Sequence, residues 1–326
     1  STPTDLFVSM SMQRVLAAAV LSLTVAACAT PQSDALRIDP GALPVAAAVK
    51  DPTFFAQRTR ECGPAALAMI LVQSGVATDA DALVREVYNP GREGSLAPAV
   101  IAGARRHGRI AYPVNTLADL FAEIDAGRPV LVLQNLALDW VPRWHYAVAV
   151  GYDLSRDTIV LHSGTTPYYE MPLGTFERTW RRGDYFGLAA LRPGEFPARD
   201  DPFRYLTAVA GVERAGRTET AAAAYAAAAA RWPENPVAHL GLGNAQYALG
   251  NRRAAADAYR TAVRQHPDSA DAHNNLAHVL SELGEFGPAE EAALRAVALG
   301  GANIGTYRET LRAIRQARAQ AARAGG

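Results

Sequence analysis

Between residues 51 and 198 the apolar positions follow two rhythms, a helical one first and an alternating or continuous one after it. From Pro64 the run Ala65, Ala66, Leu67, Ala68, Met69, Ile70, Leu71 heads toward Gly75 and predicts a helix. Further helices are predicted over Ala80–Val87 and Leu96–His107. Leu117–Ala126 reads as an amphipathic helix stopped by Gly127. Strands follow over Val130–Gln134, Tyr146–Tyr152 and Ile159–His162, and the composition of Gly151–Asp157 marks a hairpin turn between the last two. Helices first and an antiparallel sheet after them make an α+β domain, placed at 51–198.

Beyond Pro202 the chain becomes Ala-rich and begins to repeat. Gly216, Gly250 and Gly284 recur every 34 residues, as do Ala221, Ala255, Ala289 and Ala228, Ala262, Ala296. Tyr225 and Pro233 have the same counterparts in Tyr259 and Pro267. This period, with glycine between two helices and small residues where they cross, is the tetratricopeptide pattern. Each unit is a helical hairpin that buries its apolar face only by stacking on the next, so an all-α solenoid is predicted. Three units are expected at 202–235, 236–269 and 270–303, with a capping helix in 304–326. Stacked hairpins of this kind suit a protein partner.

Composition changes the picture mainly at the N-terminus. From Met12 a short basic start (Arg14) precedes an apolar stretch, Val15 to Ala27, that ends at Cys28. Such a stretch is too short to span a hydrocarbon core of ~30 Å and matches the h-region of a secretion signal. The ending Val25-Ala26-Ala27-Cys28 resembles the lipobox of bacterial lipoproteins, which implies lipid on Cys28 and a membrane anchor. The alternative is an ordinary signal cut near Ala27. Residues 1–11 read as an upstream extension, and 29–50, rich in Ala, Pro, Ser and Asp, as a tether. Since Ala29 rather than Asp follows the cysteine, the sorting pattern of such lipoproteins implies the outer membrane, facing the periplasm. Lys plus Arg balance Asp plus Glu at 32 each, so nothing points to nucleic acid.

Cys28 and Cys62 are the two cysteines. With Cys28 acylated, Cys62 is a lone thiol in a compartment where thiols pair, either a buried small hydrophobe or a nucleophile. It stands just before a helix whose first turn holds Pro64, where unpaired N–H groups and the helix dipole favour the thiolate. Gly63 permits close approach of a bound chain. Gln57 could offer its amide to a developing oxyanion. His145 opens an apolar strand, and an imidazole there can take the thiol's proton and return one to a leaving amine.

Gln57, the run Cys62-Gly63-Pro64-Ala65-Ala66-Leu67 and, some 80 residues on, His145-Tyr146-Ala147-Val148-Ala149-Val150-Gly151-Tyr152 together resemble the C39-like, papain-like cysteine peptidases. The likeness is strongest to lipoprotein members carrying tetratricopeptide repeats. It implies Gln57 as oxyanion donor, Cys62 as nucleophile, His145 as general base and a peptide or protein substrate. Leader-cleaving members cut after a double glycine. At the third catalytic position the family carries Asp or Asn. Here strand alignment offers His162, while pairing across the hairpin favours Ser163; neither is a carboxylate. A peptide-binding adaptor that does not cut is the alternative function. Trp144, with Trp140, is a candidate for the substrate groove, packing in the sheet being the other reading. His107, His239, His266, His273 and His278 read mostly as surface positions. No metal-ligand spacing or phosphate loop is present, and no cofactor is expected.

Overall fold

The computed structural model describes residues 29–324. Cys28 and everything before it, where the signal and lipobox expectations fall, lie outside the described residues. Among the described residues no helix is long and apolar enough to cross a membrane.

The first domain is one antiparallel sheet covered on both faces. Its strands are β1 (Ala46–Ala48), β2 (Ile110–Pro113), β3 (Val130–Asn135), β4 (Trp144–Asp153), β5 (Thr158–Ser163), β6 (Thr166–Pro172) and β7 (Gly187–Leu191). They lie in the order β2-β7-β3-β4-β5-β6, and β1 pairs with the far end of β4, Ala46 against Asp153. Side chains alternate along β4, so its two faces feed two cores. Tyr146, Val148 and Val150 join Leu67, Ile70 and Leu71 of α2 (Cys62–Gln73) together with residues of α3 (Ala80–Val87) and α4 (Ala97–Arg106). Ala147 and Ala149 face the other core, with α5 (Leu117–Asp125) and α6 (Leu173–Arg181). The apolar run of α2 leaves Gly63 to Leu71 buried all round, so this helix is the spine of its layer.

Residues 29–50 are not a tether. Pro31–Ile38 forms α1, whose first N–H groups, at Gln32 and Ser33, donate to the buried Glu177 carboxylate at 2.9 and 2.7 Å. Glu177 thereby takes the capping role that the Thr30 side chain does not fill. The linker-like composition of this segment misleads because most of its partners, such as Leu117, Asp157 and Glu177, lie far along the chain.

The repeats fold as α7 (Pro202–Arg214), α8 (Thr218–Arg231), α9 (Pro236–Ala248), α10 (Arg252–Gln265), α11 (Ala270–Glu282), α12 (Phe286–Leu299) and α13 (Ile304–Ala324). Gly216, Gly250 and Gly284 turn each hairpin with φ of +75°, +83° and +79°, a region that disfavours any residue with a Cβ. The solenoid is not a separate body. Tyr205, Val209 and Val212 of α7 share one core with Ile110 and Tyr112 of the sheet. Phe196, Tyr205 and Trp232 pack ring to ring at 5.0–5.6 Å across the junction.

Candidate active site

Four side chains gather at the end of the sheet where β5 stops and β4 runs on. The register puts Val148 opposite His162, so Tyr146 lies beyond the β5 pairing and its main-chain groups face other partners. Its carbonyl accepts from Gln57 Nε2 at 2.9 Å, and Gln57 Oε1 accepts from the Gly164 N–H, also at 2.9 Å. A carbonyl on one side and an N–H on the other leave the carboxamide a single orientation. One Nε2 hydrogen stays free of these bonds.

Cys62 is the first residue of α2, two positions earlier than the sequence suggests, with Pro64 third. The N–H groups of Cys62 and Gly63 therefore lack intrahelical acceptors, and Pro64 has none to offer. Burial pushes the Cys62 thiol above its ordinary range; main-chain hydrogen bonds from Tyr146, Gly63 and Cys62 itself pull the other way and do not overcome it. The dipole-favoured thiolate expected from sequence is thus outweighed by desolvation. Gly63 must be glycine for a local reason: a Cβ there would stand 2.5 Å from the Ser95 side chain.

His145 is half-buried, and its Nε2 lies 2.8 Å from Ser163 Oγ. Burial lowers its pKa, and nearby Arg143 lowers it further. No direct hydrogen bond joins the sulfur to the imidazole; the two meet through Tyr146, which follows His145 in the chain and donates its N–H toward Cys62. Burial thus works against the charged form of both groups, the setting for a general base rather than a preformed ion pair.

His162 is not the third member. Consecutive strand residues point to opposite faces, so a serine at 163 that reaches His145 turns His162 away. Its ring is fully buried between Phe54 and Tyr168, with centroids 5.1 and 4.9 Å away, and its Nδ1 bonds Thr53 O at 3.1 Å. It fastens the segment that leads into Gln57. Ser163 fills the position instead, and the sequence signal for it was the hairpin, whose bulge between Ala149 and Gly151 sets the register.

Trp144 is 54% exposed and Trp140 79%, so the reading of these rings as sheet packing does not hold. With Leu138 and Val141 they form an apolar surface beside His145, on a loop closed by Asn135 Oδ1, which accepts from the Ala137 and Arg143 N–H groups at 3.1 and 2.9 Å. Among the described residues no group of three or more His, Cys, Asp and Glu could hold a metal ion.

A helix that starts at a thiol and packs on an antiparallel sheet carrying a histidine is a papain-like arrangement, here continued by helical hairpins. Residues 49–185 match the Peptidase_C39 like family, and residues 212–251 and 240–304 match the Tetratricopeptide repeat family. The protein thus joins a domain that matches the C39-like peptidase family to a helical region that matches tetratricopeptide repeats. Among solved structures, it resembles a protein assigned as a C39-like peptidase from Bacillus anthracis, at 17% identity and TM-score 0.39, over 45% of this chain and 98% of that one. The first tetratricopeptide domain of Spaghetti (RPAP3) bound to an HSP90 peptide aligns at 20% identity and TM-score 0.34, over 36% and 93%. The Yersinia enterocolitica secretion chaperone SycD, in complex with a peptide of the translocator YopD, aligns at 21% and 0.34, over 36% and 95%. No curated protein matches the chain.

Proposed function

We propose that the protein is a cell-envelope thiol peptidase that cleaves peptide bonds through an acyl-enzyme on Cys62. The observation that carries this reading is the convergence of Gln57 and Cys62 on the main chain of Tyr146, next to a His145 held by Ser163. As the sulfur attacks the scissile carbonyl, His145 takes the thiol proton and then delivers it to the departing amine. The carbonyl oxygen, now negative, is met by the free hydrogen of Gln57 Nε2 and by the Cys62 N–H at the head of α2. Water, deprotonated by His145, releases the acyl group. Trp144 and the exposed loop beside it supply an apolar wall for substrate, and the repeats recruit a protein partner or present the substrate. Cys28 carries the lipid that holds both domains at the outer membrane, facing the periplasm.

The test is alkylation of Cys62 by iodoacetamide from about pH 5 to about pH 9, spanning the ordinary imidazole and thiol ranges. Near neutrality His145→Ala should slow labelling by about tenfold or more, since general-base help contributes ~10²–10⁴ in favourable cases. The gap should narrow toward the alkaline end, and the two profiles should converge only above the raised thiol range. Superimposable profiles would remove the peptidase reading. The second reading, a non-cutting peptide adaptor, is favoured by the missing carboxylate and the raised thiol, and would then stand. For the anchor, palmitate incorporation in cells should vanish in Cys28→Ser; retained incorporation would refute it.

A further inference from the structure

A cleft lies where the repeats meet the sheet domain, and it is built by both. It encloses about 720 Å³, within the usual range for ligand sites of ~300–1,000 Å³. Ile101, Leu133, Phe186 and Leu188 give one domain's apolar wall, and Phe203, 82% exposed, gives the other. The cleft runs close to the candidate active site. Phe186 packs edge-on against the Tyr146 ring, with centroids 6.4 Å apart, and Ala97 follows the loop whose Ser95 covers Gly63.

Two arginines face this apolar space, Arg105 from the last turn of α4 and Arg214 from the end of α7. Among the described residues no hydrogen bond or ion pair reaches either side chain, and the Arg105 Nε is buried without an acceptor. Arg105 lays its guanidinium against Gly211, where there is no room for a Cβ, so the position of the side chain is explained by packing between domains. The charge is not. Burial and the neighbouring Arg214 both work against it, which lowers its pKa. Of the acids on the walls, Asp201 is taken by Arg204 at 3.2 Å, and Asp184 is beyond ion-pair distance of both arginines.

We propose that this interdomain cleft binds a peptide segment carrying an acidic side chain among apolar ones, its carboxylate held by Arg105 and Arg214. A carboxylate supplies the acceptors that these guanidiniums lack, while the flanking apolar residues cover Phe186 and Phe203. The choice of a peptide as occupant rests on the proposed peptidase chemistry, because the cleft adjoins Tyr146; the need for an anion rests on the arginines alone.

The test pans a random decapeptide display library against the full-length chain bearing Cys62→Ala, so that binding is read with chemistry switched off. Retained peptides should be enriched in Asp and Glu flanked by apolar residues. Their affinity should fall roughly tenfold or more in Arg105→Gln and in Arg214→Glu, as expected for a charge-assisted hydrogen bond. Arg214 is exposed, so its substitution leaves the fold intact even if Arg105→Gln loosens the junction. Retention without acidic enrichment, affinity untouched by Arg214→Glu, or no retained peptide would overturn the proposal. Dodecanoate offered in competition gives the last arm: displacement of the peptides agrees with a shared carboxylate site, whereas dodecanoate binding with no peptide bound would contradict it. Loss of thiol reactivity in the separate alkylation test would leave these results standing.

Discussion

At the scale of the residue, the decisive substitution is the serine that stands where a carboxylate or carboxamide is expected. An Asp acceptor admits only the tautomer with hydrogen on Nε2, leaving Nδ1 free as the base. The Ser163 hydroxyl can donate or accept, so it fixes where the ring sits without fixing which nitrogen carries the proton. Ser163→Ala should therefore cost acylation only about tenfold, well short of the ~10⁴ seen when a triad carboxylate is neutralised. Ser163→Asp should accelerate acylation and move its acidic limb to higher pH, because a carboxylate at that distance favours the imidazolium. Rates of Cys62 acylation across pH check both, and a Ser163→Asp profile that moves to lower pH would contradict the assignment. The sequence made Gln57, Cys62 and His145 visible because each belongs to a short motif. It left His162 and Ser163 undecided because their choice depends on a one-residue bulge in β4, which no local pattern announces.

At the scale of the element, glycine marks where backbones or rings come close. Gly63→Ala would drive a Cβ into Ser95, and Gly241→Ala would set one 2.5 Å from the Tyr225 ring. Alanine gains ~1 kcal/mol over glycine inside a helix, but overpacking against a buried ring costs ~1–3 kcal/mol. The Gly241→Ala protein should be net destabilised, as chemical denaturation will show; a stabilised variant would mean that Tyr225 can swing aside. The helical elements were the most legible part of the chain, since a 34-residue period and a long apolar run leave little choice. Strands β1, β2, β6 and β7 and helices α1 and α6 were not seen. Thr166–Pro172 is exposed at all but one position, so the alternation that betrays a half-buried strand is missing. In α1 the stabilising contacts come from distant residues, Glu177 at its start and Asp157 against Arg37 among them.

For the whole molecule, the shared core makes the sheet domain and the first repeat one folding unit. A two-step denaturation that released α7 and α8 before the sheet would contradict this. Two histidines tie that unit to pH. Burial lowers the pKa of both His145 and His162, with the Thr53 carbonyl only partly offsetting it for His162. The unfolded chain then binds protons more readily than the folded one. The stability they contribute is complete above the unfolded value of ~6.5 and is lost as pH falls through their folded values. The melting temperature should accordingly fall below about pH 6.5, and less steeply in His162→Asn. A flat profile would mean that these rings are hydrated. The most direct test of the central claim is mass spectrometry of the protein quenched seconds after mixing with 4-nitrophenyl acetate near neutral pH. One acetyl group on Cys62, absent from Cys62→Ala and strongly diminished in His145→Ala, is the predicted result. An unmodified Cys62, or acetylation indifferent to His145, would contradict it.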